Sequence, residues 1–327
     1  MLHLVAVVGA GLLLAFAKPA IRFISLHFVP QPQPLRDYRR PRLHPAHAVI
    51  VGCVTGIGLG IAKELVNNGF GVFLLGNSSD ELQAAKEALQ SATPAAQVVC
   101  FVIDPTTATA MEVEDLVDVF KRLNANASVL VNNVGDSCVP WLPLEQPSSD
   151  SPAHGAIMDG RTLFAARLAA AMRPMLSTCR QRFAERSLIL NITSQRIPGM
   201  PCSAMYGEAI MGVNLGYRIE FAKEPDGPRA TDHIDYLVAH VPSNVLSPQA
   251  NCSAGAASTV QAEYFGKLVA QSVDVAAKHK SRAHCPYWWH DLQWSIMCWI
   301  RDDVLRPDEV KIAGVKRYAR CLYDDKT

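Results

Sequence analysis

The sequence predicts an α/β fold, a doubly wound parallel sheet, and three observations predict it. Ala48 to Val51 is a short apolar run that reads as a strand buried on both faces. Gly52, Gly56 and Gly58 follow at the spacing G-x-x-x-G-x-G, and Ile61 to Leu65 begins an amphipathic helix. A second apolar run, Gly71 to Leu75, comes after a helix-length gap and completes a strand–helix–strand unit. Glycine permits the sharp turn and lets backbone N–H groups approach a pyrophosphate, which the helix dipole also favours. The alternative is a tight turn that binds nothing. These observations together predict a Rossmann-like domain, and the apolar N-terminus adds a membrane helix in front of it.

The chain has 327 residues, enough for one large α/β domain plus an extension. Its net charge of +1 gives no electrostatic footprint for nucleic acid, so none is expected as a partner. Nine cysteines are scattered without C-x-x-C pairs or His/Cys clusters, which fits reduced thiols rather than a disulfide framework or a metal site.

From the N-terminus, Leu2 to Ala17 is apolar except for His3, and Lys18 and Pro19 separate it from a second apolar stretch, Ala20 to Val29, carrying Arg22. The first run falls slightly short of the ~20 residues that span a bilayer, but His3 and Lys18 can snorkel. Arginines at 36, 39, 40 and 42 follow and none precedes, so the positive-inside bias leaves the main domain in the cytosol. A cleaved signal peptide is the rival reading, and it lacks the charged n-region. Residues 1–29 are therefore expected to anchor the chain. Residues 30–46 form a Pro- and Arg-rich linker suited to anionic headgroups. Residues 47–282 make the Rossmann domain, and 283–327 a Trp-rich interface segment and tail.

The elements then alternate. Ser79–Ser91 reads as a helix, Gln97–Asp104 as a strand, Met111–Leu123 as a helix, and Ser128–Val131 as a strand. Ser137–Gly155, with four prolines, reads as a long loop. Ala156–Phe183 is a helix that Pro174 kinks or ends. Leu188–Ile192 is a strand, Met205–Phe221 a helix, Ile234–Ala239 a strand and Val260–Lys280 a helix. Strands alternating with helices imply a parallel sheet with ligands beyond the strands' C-terminal ends. Tyr287–Ile300 holds Trp288, Trp289, Trp294 and Trp299, suited to a membrane interface or, alternatively, to packing on the sheet.

The turn VGCVTGIG, the NNVG beginning at Asn132, the strand LILNITS ending at Ser194 and Tyr206 on the next helix jointly resemble the short-chain dehydrogenase/reductase superfamily, from about His47 to His240. The N-terminal apolar segment, NNVG, ILNITS and the Trp-rich segment are similar to one branch. That branch is the membrane-bound very-long-chain 3-oxoacyl-CoA reductases and their 17β-hydroxysteroid dehydrogenase relatives. The resemblance implies that Tyr206 protonates a carbonyl oxygen as hydride arrives and that Ser194 hydrogen-bonds the same oxygen. Ser194 precedes Tyr206 by 12 residues, one fewer than is usual in the family, which leaves Thr193 as an alternative hydroxyl.

The family's Lys, four residues after the Tyr, is replaced by Ile210, and its Asn on the preceding long helix is missing near Asp159, Gly160 and Arg161. Cofactor binding is implied for Gly52, Thr55, Gly56, Ile57 and Gly58 at the glycine turn. It is implied also for Asn77 after the second strand, Asp104 after the third, Asn132 after the fourth, and Val245 and Ser247 beside the nicotinamide. Asp104 reads equally as a loop-start residue before Pro105, and Asn132 as a brace for the strand end. No Asp or Glu stands at Asn77, Ser78 or Ser79 to bind a ribose 2′-hydroxyl, so NADP(H) is expected, with NAD(H) still open. The resemblance further implies a small lipophilic substrate, the endoplasmic reticulum membrane, and a homodimer or elongation-complex partners. Two functions fit: an oxidoreductase of lipophilic carbonyls, and a nucleotide-binding pseudoenzyme that scaffolds partners at the membrane.

Overall fold

A computed structural model describes residues 17, 19–39, 46–134, 162–183, 186–194, 233–242, 245–246, 260–279 and 283–301. A short helix, α1 (residues 19–27), and a 3-10 turn at Arg36–Tyr38 precede the sheet. The alternating units follow as β1 (His47–Val51), α2 (Gly56–Asn67), β2 (Gly71–Gly76), α3 (Ser79–Ala92), β3 (Val98–Val102), α4 (Ala110–Arg122) and β4 (Ala127–Asn132). The second half has α5 (Ala165–Phe183), β5 (Ser187–Ser194), β6 (Ile234–Val241), β7 (Val245–Leu246), β8 (Val260–Gln261), α6 (Ala262–Lys278), β9 (Ala283–His284) and α7 (Trp288–Arg301).

Seven strands pair in the order β3-β2-β1-β4-β5-β6-β9, all parallel, and β7 pairs with β8 separately. The strand order reverses between β1 and β4, which opens the crevice where doubly wound sheets take ligands. The alternation of side chains along each strand sorts the core into two layers. Ala48 and Ile50 of β1 face α2, α3 and α6 through Ile61, Leu65, Leu82 and Phe265. Val49 and Val51 face α4 and α5 through Val117, Phe120, Leu168 and Met172. A capping box starts α4: the Thr109 hydroxyl accepts from Glu112 N–H at 3.2 Å, and Glu112 accepts from Thr109 N–H at 2.8 Å.

Several expectations are decided or changed. Helix α5 reaches Phe183 as the sequence expects and runs on through Pro174, so of the two alternatives the proline does not end it. Leu168, Ala169, Met172 and Leu176 are all buried on either side of the proline, so packing outweighs the lost backbone bond. The sheet gains a seventh strand, β9, from a segment the sequence places outside the Rossmann domain. The basic linker is partly structural. Leu35 and Tyr38 are buried, Tyr38 O–H donates to Asp235 at 2.8 Å, Ser128 O–H donates to the Tyr38 carbonyl at 2.8 Å, and Leu35 N–H donates to Asp274 at 2.5 Å. Burying two large side chains is worth about 1.5–3 kcal/mol each, which holds Leu35 and Tyr38 on the domain although their neighbours are charged.

Residues 19–27, expected as the end of the anchor, form a short helix whose Leu26 packs on the core. Among the described residues no helix is long and apolar enough to cross a membrane, and residues 1–16 lie outside them. The expected helix Met205–Phe221, the loop Ser137–Gly155 and the tail from Lys311 also lie outside the described residues.

Candidate active site

The glycine turn is built by the protein's own backbone. Gly52 and Gly56 adopt φ +68° and +58°, in the left-handed region that disfavours a side chain. Gly52 N–H donates to the Leu75 carbonyl at 3.1 Å, and the Gly52 carbonyl accepts from Asn133 Nδ2 at 2.6 Å. A Cβ on Gly52 would lie 1.9 Å from the Asn133 carbonyl, and one on Gly58 would lie 2.0 Å from the Gly52 carbonyl. The first claim on these glycines is therefore intramolecular closeness, ahead of the space a pyrophosphate needs. Gly60 and Gly266 serve helix contact in the same way, with an added Cβ falling 2.1 Å from Glu263 O and 2.2 Å from Ile57 O respectively.

The sequence assigns no bond to Asn133 and does not pair Gly60 with Gly266. The doubled Asn of NNVG, directly after a strand, was the available signal for the first.

The turn feeds the N-terminus of α2. Thr55 is its N-cap, exposed, and its side chain makes no capping bond to the first-turn N–H groups. Cys53, between the glycines, is buried with its thiol directed at the Leu75 carbonyl, 3.7 Å away. Burial pushes that thiol up to about 12, so it is no nucleophile.

The strand ends beside the turn differ from one another. Asn77, after β2, is exposed. Ser78 caps α3 by accepting from Glu81 N–H at 3.4 Å, which leaves its O–H proton available to donate. Asp104 Oδ1 accepts from Thr106 N–H at 2.8 Å and Thr106 O–H at 2.7 Å, an Asx turn that explains this residue as a loop start. Asn132 is buried and donates to Asn191 at 2.8 Å; Asn191 in turn donates to the Tyr236 hydroxyl at 2.8 Å. This relay braces β4, β5 and β6 from inside, each bond contributing about 0.5–1.5 kcal/mol. Val245 lies in β7, packed against the core beside Pro242.

The catalytic half is less fully described. Ser194 is the last residue of β5, opposite Val241 of β6. Thr193 is buried on the same face of β5 as Asn191, and its hydroxyl has no hydrogen-bond partner among the described residues. Tyr206, Ile210 and Ser247 lie outside the described residues.

The family model for short chain dehydrogenases matches residues 46–213, just over half of the chain. The chain belongs to that family. Within it, the chain is 29% identical over 139 residues to a very-long-chain 3-oxoacyl-CoA reductase of Mycosarcoma maydis. That match covers 42% of this chain and 39% of the relative, so the chain spans well under half of the relative's length in it. Two solved structures share the fold. One is L-sorbose reductase from Gluconobacter frateurii, complexed with NADPH and L-sorbose, with a TM-score of 0.52 and 20% identity over 62% of this chain and 71% of that one. The other is a metagenomic short-chain oxidoreductase in complex with NADP, with a TM-score of 0.53 and 18% identity over 73% and 96% of the two chains. The parallel sheet and the glycine turn are thus the family's frame.

Proposed function

We propose that the chain is a membrane-anchored, NADP(H)-dependent short-chain oxidoreductase that reduces a lipophilic carbonyl of the 3-oxoacyl-CoA or ketosteroid class. One observation carries this reading: the turn at the reversal of strand order, clamped by Asn133, leaves the α2 N-terminus without a side-chain cap. Uncapped N–H groups at the positive end of a helix dipole fit a pyrophosphate. Gly52, Thr55, Gly56, Ile57 and Gly58 would hold it, with Asn77 and Asp104 toward the adenosine end and Val245 and Ser247 toward the nicotinamide. Asn132 supports the site from behind.

Bound NADPH would supply hydride to the carbonyl carbon. Tyr206 would donate its proton to the carbonyl oxygen, and Ser194 would hydrogen-bond that oxygen and orient it. Residues 1–29 would hold the chain in the endoplasmic reticulum membrane with residues 47–282 in the cytosol, where a homodimer or elongation partners would meet it. The fold of the designated relatives and the NADP-bound neighbours support this reading.

A second reading has its own observation. Ile210 occupies the position of the family's Lys and supplies neither charge nor hydrogen bond, which suits a nucleotide-binding pseudoenzyme that scaffolds membrane partners. Calorimetric titration of the full chain with NADPH, followed by NADPH oxidation on a panel of 3-oxoacyl-CoAs and ketosteroids, separates the two. Binding with turnover supports the reductase, binding without turnover selects the scaffold, and absence of binding overturns both.

A further inference from the structure

Helices α1 and α7 together present an exposed apolar shelf. On the α1 side Ile21, Ile24 and Phe28 recur at i, i+3 and i+7, and are 57%, 52% and 57% exposed; Val29 continues the stripe. On α7 Trp288, Trp289 and Ile296 are exposed as well. The two stripes meet where the Phe28 and Trp288 rings lie 6.1 Å apart, and Trp288 stands edge-on to Trp289 at 5.4 Å.

The inner faces hold this arrangement in place. His27 Nε2 and Asp291 Oδ2 are 2.9 Å apart, with side chains only 1% and 6% exposed. Phe23 packs edge-on to His27 at 4.7 Å. Turning the shelf inward would strand a buried carboxylate, which is costly. Single exposed apolar residues are ordinary, but a stripe fixed from behind and continuous across two helices is not.

The sequence says what covers it. The apolar run Leu2 to Ala17 joins α1 through Lys18 alone, so whatever receives that run holds the shelf directly beside it. Arg36 and Arg39 are exposed close by in the chain, and Arg40 and Arg42 follow. Aliphatic and indole side chains followed along the chain by a basic stretch match the headgroup–acyl boundary of an anionic bilayer.

We propose that α1 and α7 form a composite lipid-facing shelf, clasped by His27 and Asp291, that lays the folded domain against the surface of a bilayer. This deepens the membrane reading above and places Trp288 and Trp289 at headgroup level. The full chain is reconstituted into phosphatidylcholine–phosphatidylserine vesicles whose lipids carry bromine near the headgroup, and indole emission is read. Quenching is expected in the wild type. It should be reduced in Trp288→Ser/Trp289→Ser, and weakened in Ile21→Ser/Ile24→Ser, which keeps every indole; near-ultraviolet circular dichroism checks that each variant is folded.

Carbonate extraction tests the anchor separately. A chain that resists carbonate yet shows no bromolipid quenching overturns the shelf and leaves the anchor standing. Quenching in a chain that carbonate releases overturns the anchor and supports the shelf. Quenching unchanged in both folded variants overturns the shelf. So does an indole signal that ignores bromolipid and changes instead with protein concentration in detergent, which would assign the face to a second copy.

Discussion

Asn133 Nδ2 donates to the Gly52 carbonyl at 2.6 Å and so ties the glycine turn to the end of the fourth strand. The bond joins the two strands between which the strand order reverses, and it fixes where the N-terminus of α2 points. Asn133→Ala removes the donor and leaves the carbonyl half-buried. The expected result is NADPH affinity weakened about tenfold, equivalent to one hydrogen bond of about 1.4 kcal/mol, with the fold retained. Gly52→Ala differs, because its Cβ would meet backbone at 1.9 Å and the residue sits at φ +68°. That variant should lose thermal stability along with binding. Calorimetry paired with a melting curve distinguishes them, and equal melting temperatures for wild type and Gly52→Ala would contradict the clash.

The sequence made the alternation of strands and helices legible because β1, β2 and β4 are apolar on both faces and bounded by glycine or asparagine. It made the turn legible through spacing alone. It did not reveal why the glycines are there: Gly60 and Gly266 are needed only where α2 and α6 touch, a contact between segments some 200 residues apart. Nor did it reveal that Ser78 and Asp104 spend their oxygens on local N–H groups, since a cap and a ligand use the same residue types. The linker was misread for a similar reason. The surrounding charges masked Leu35 and Tyr38, whose partners Asp274 and Asp235 come from distant elements.

His284 supplies a pH prediction. The Ser272 hydroxyl donates to the Val269 carbonyl, so His284 Nε2, 2.9 Å from the same oxygen, carries the proton and donates. Its Nδ1 is buried with no partner among the described residues, and burial pushes the imidazole down from 6.5 to about 3. A depressed histidine binds fewer protons folded than unfolded, so stability falls as pH drops below 6.5 toward 3. Relative to pH 7, the loss at pH 5 is about 2 kcal/mol. Asp274 works the other way: burial pushes it up to about 6 from 3.8, so the stability of its protonated form is lost as pH rises through 6. Between pH 5 and 7 the two contributions have opposite sign, so Asp274 partly offsets the histidine. Urea unfolding of His284→Gln from pH 5 to 7 should show a flatter or inverted dependence, and a slope equal to the wild type would contradict the assignment.

Asn77 tests cofactor preference. It is exposed at the end of β2, and positions 77 to 79 carry no carboxylate to repel a 2′-phosphate. Asn77→Arg adds a cation there and should improve discrimination for NADPH over NADH by about tenfold, the effect of one charge-assisted bond of about 1.5 kcal/mol. Asn77→Asp should reverse the preference by repelling the phosphate and accepting from the ribose hydroxyls. Fluorescence titration with both dinucleotides measures it. Identical ratios in all three proteins would mean that the adenosine end does not lie at β2.

The last prediction concerns whether the catalytic half works without its lysine. With Ile210 where the family carries Lys, the sequence supplies no ammonium four residues after Tyr206 to favour a tyrosinate. On the proposed reading, reduction uses a protonated Tyr206 as donor, whereas alcohol oxidation needs a base. Oxidation is therefore expected to be weak or absent. Reduction should be low and dependent on Tyr206, with Tyr206→Phe lowering it by about 10²-fold or more, the scale of general acid catalysis. Ile210→Lys should raise turnover in the oxidation direction more than in reduction. The introduced ammonium is costly if it is buried unpaired, so the variant is first checked by its melting curve and NADPH binding. A folded, NADPH-binding Ile210→Lys that turns over no carbonyl on the panel would decide for the scaffold. Brisk wild-type turnover untouched by Tyr206→Phe would remove Tyr206 as the proton donor and leave the buried, unpartnered hydroxyl of Thr193 as the next group to substitute.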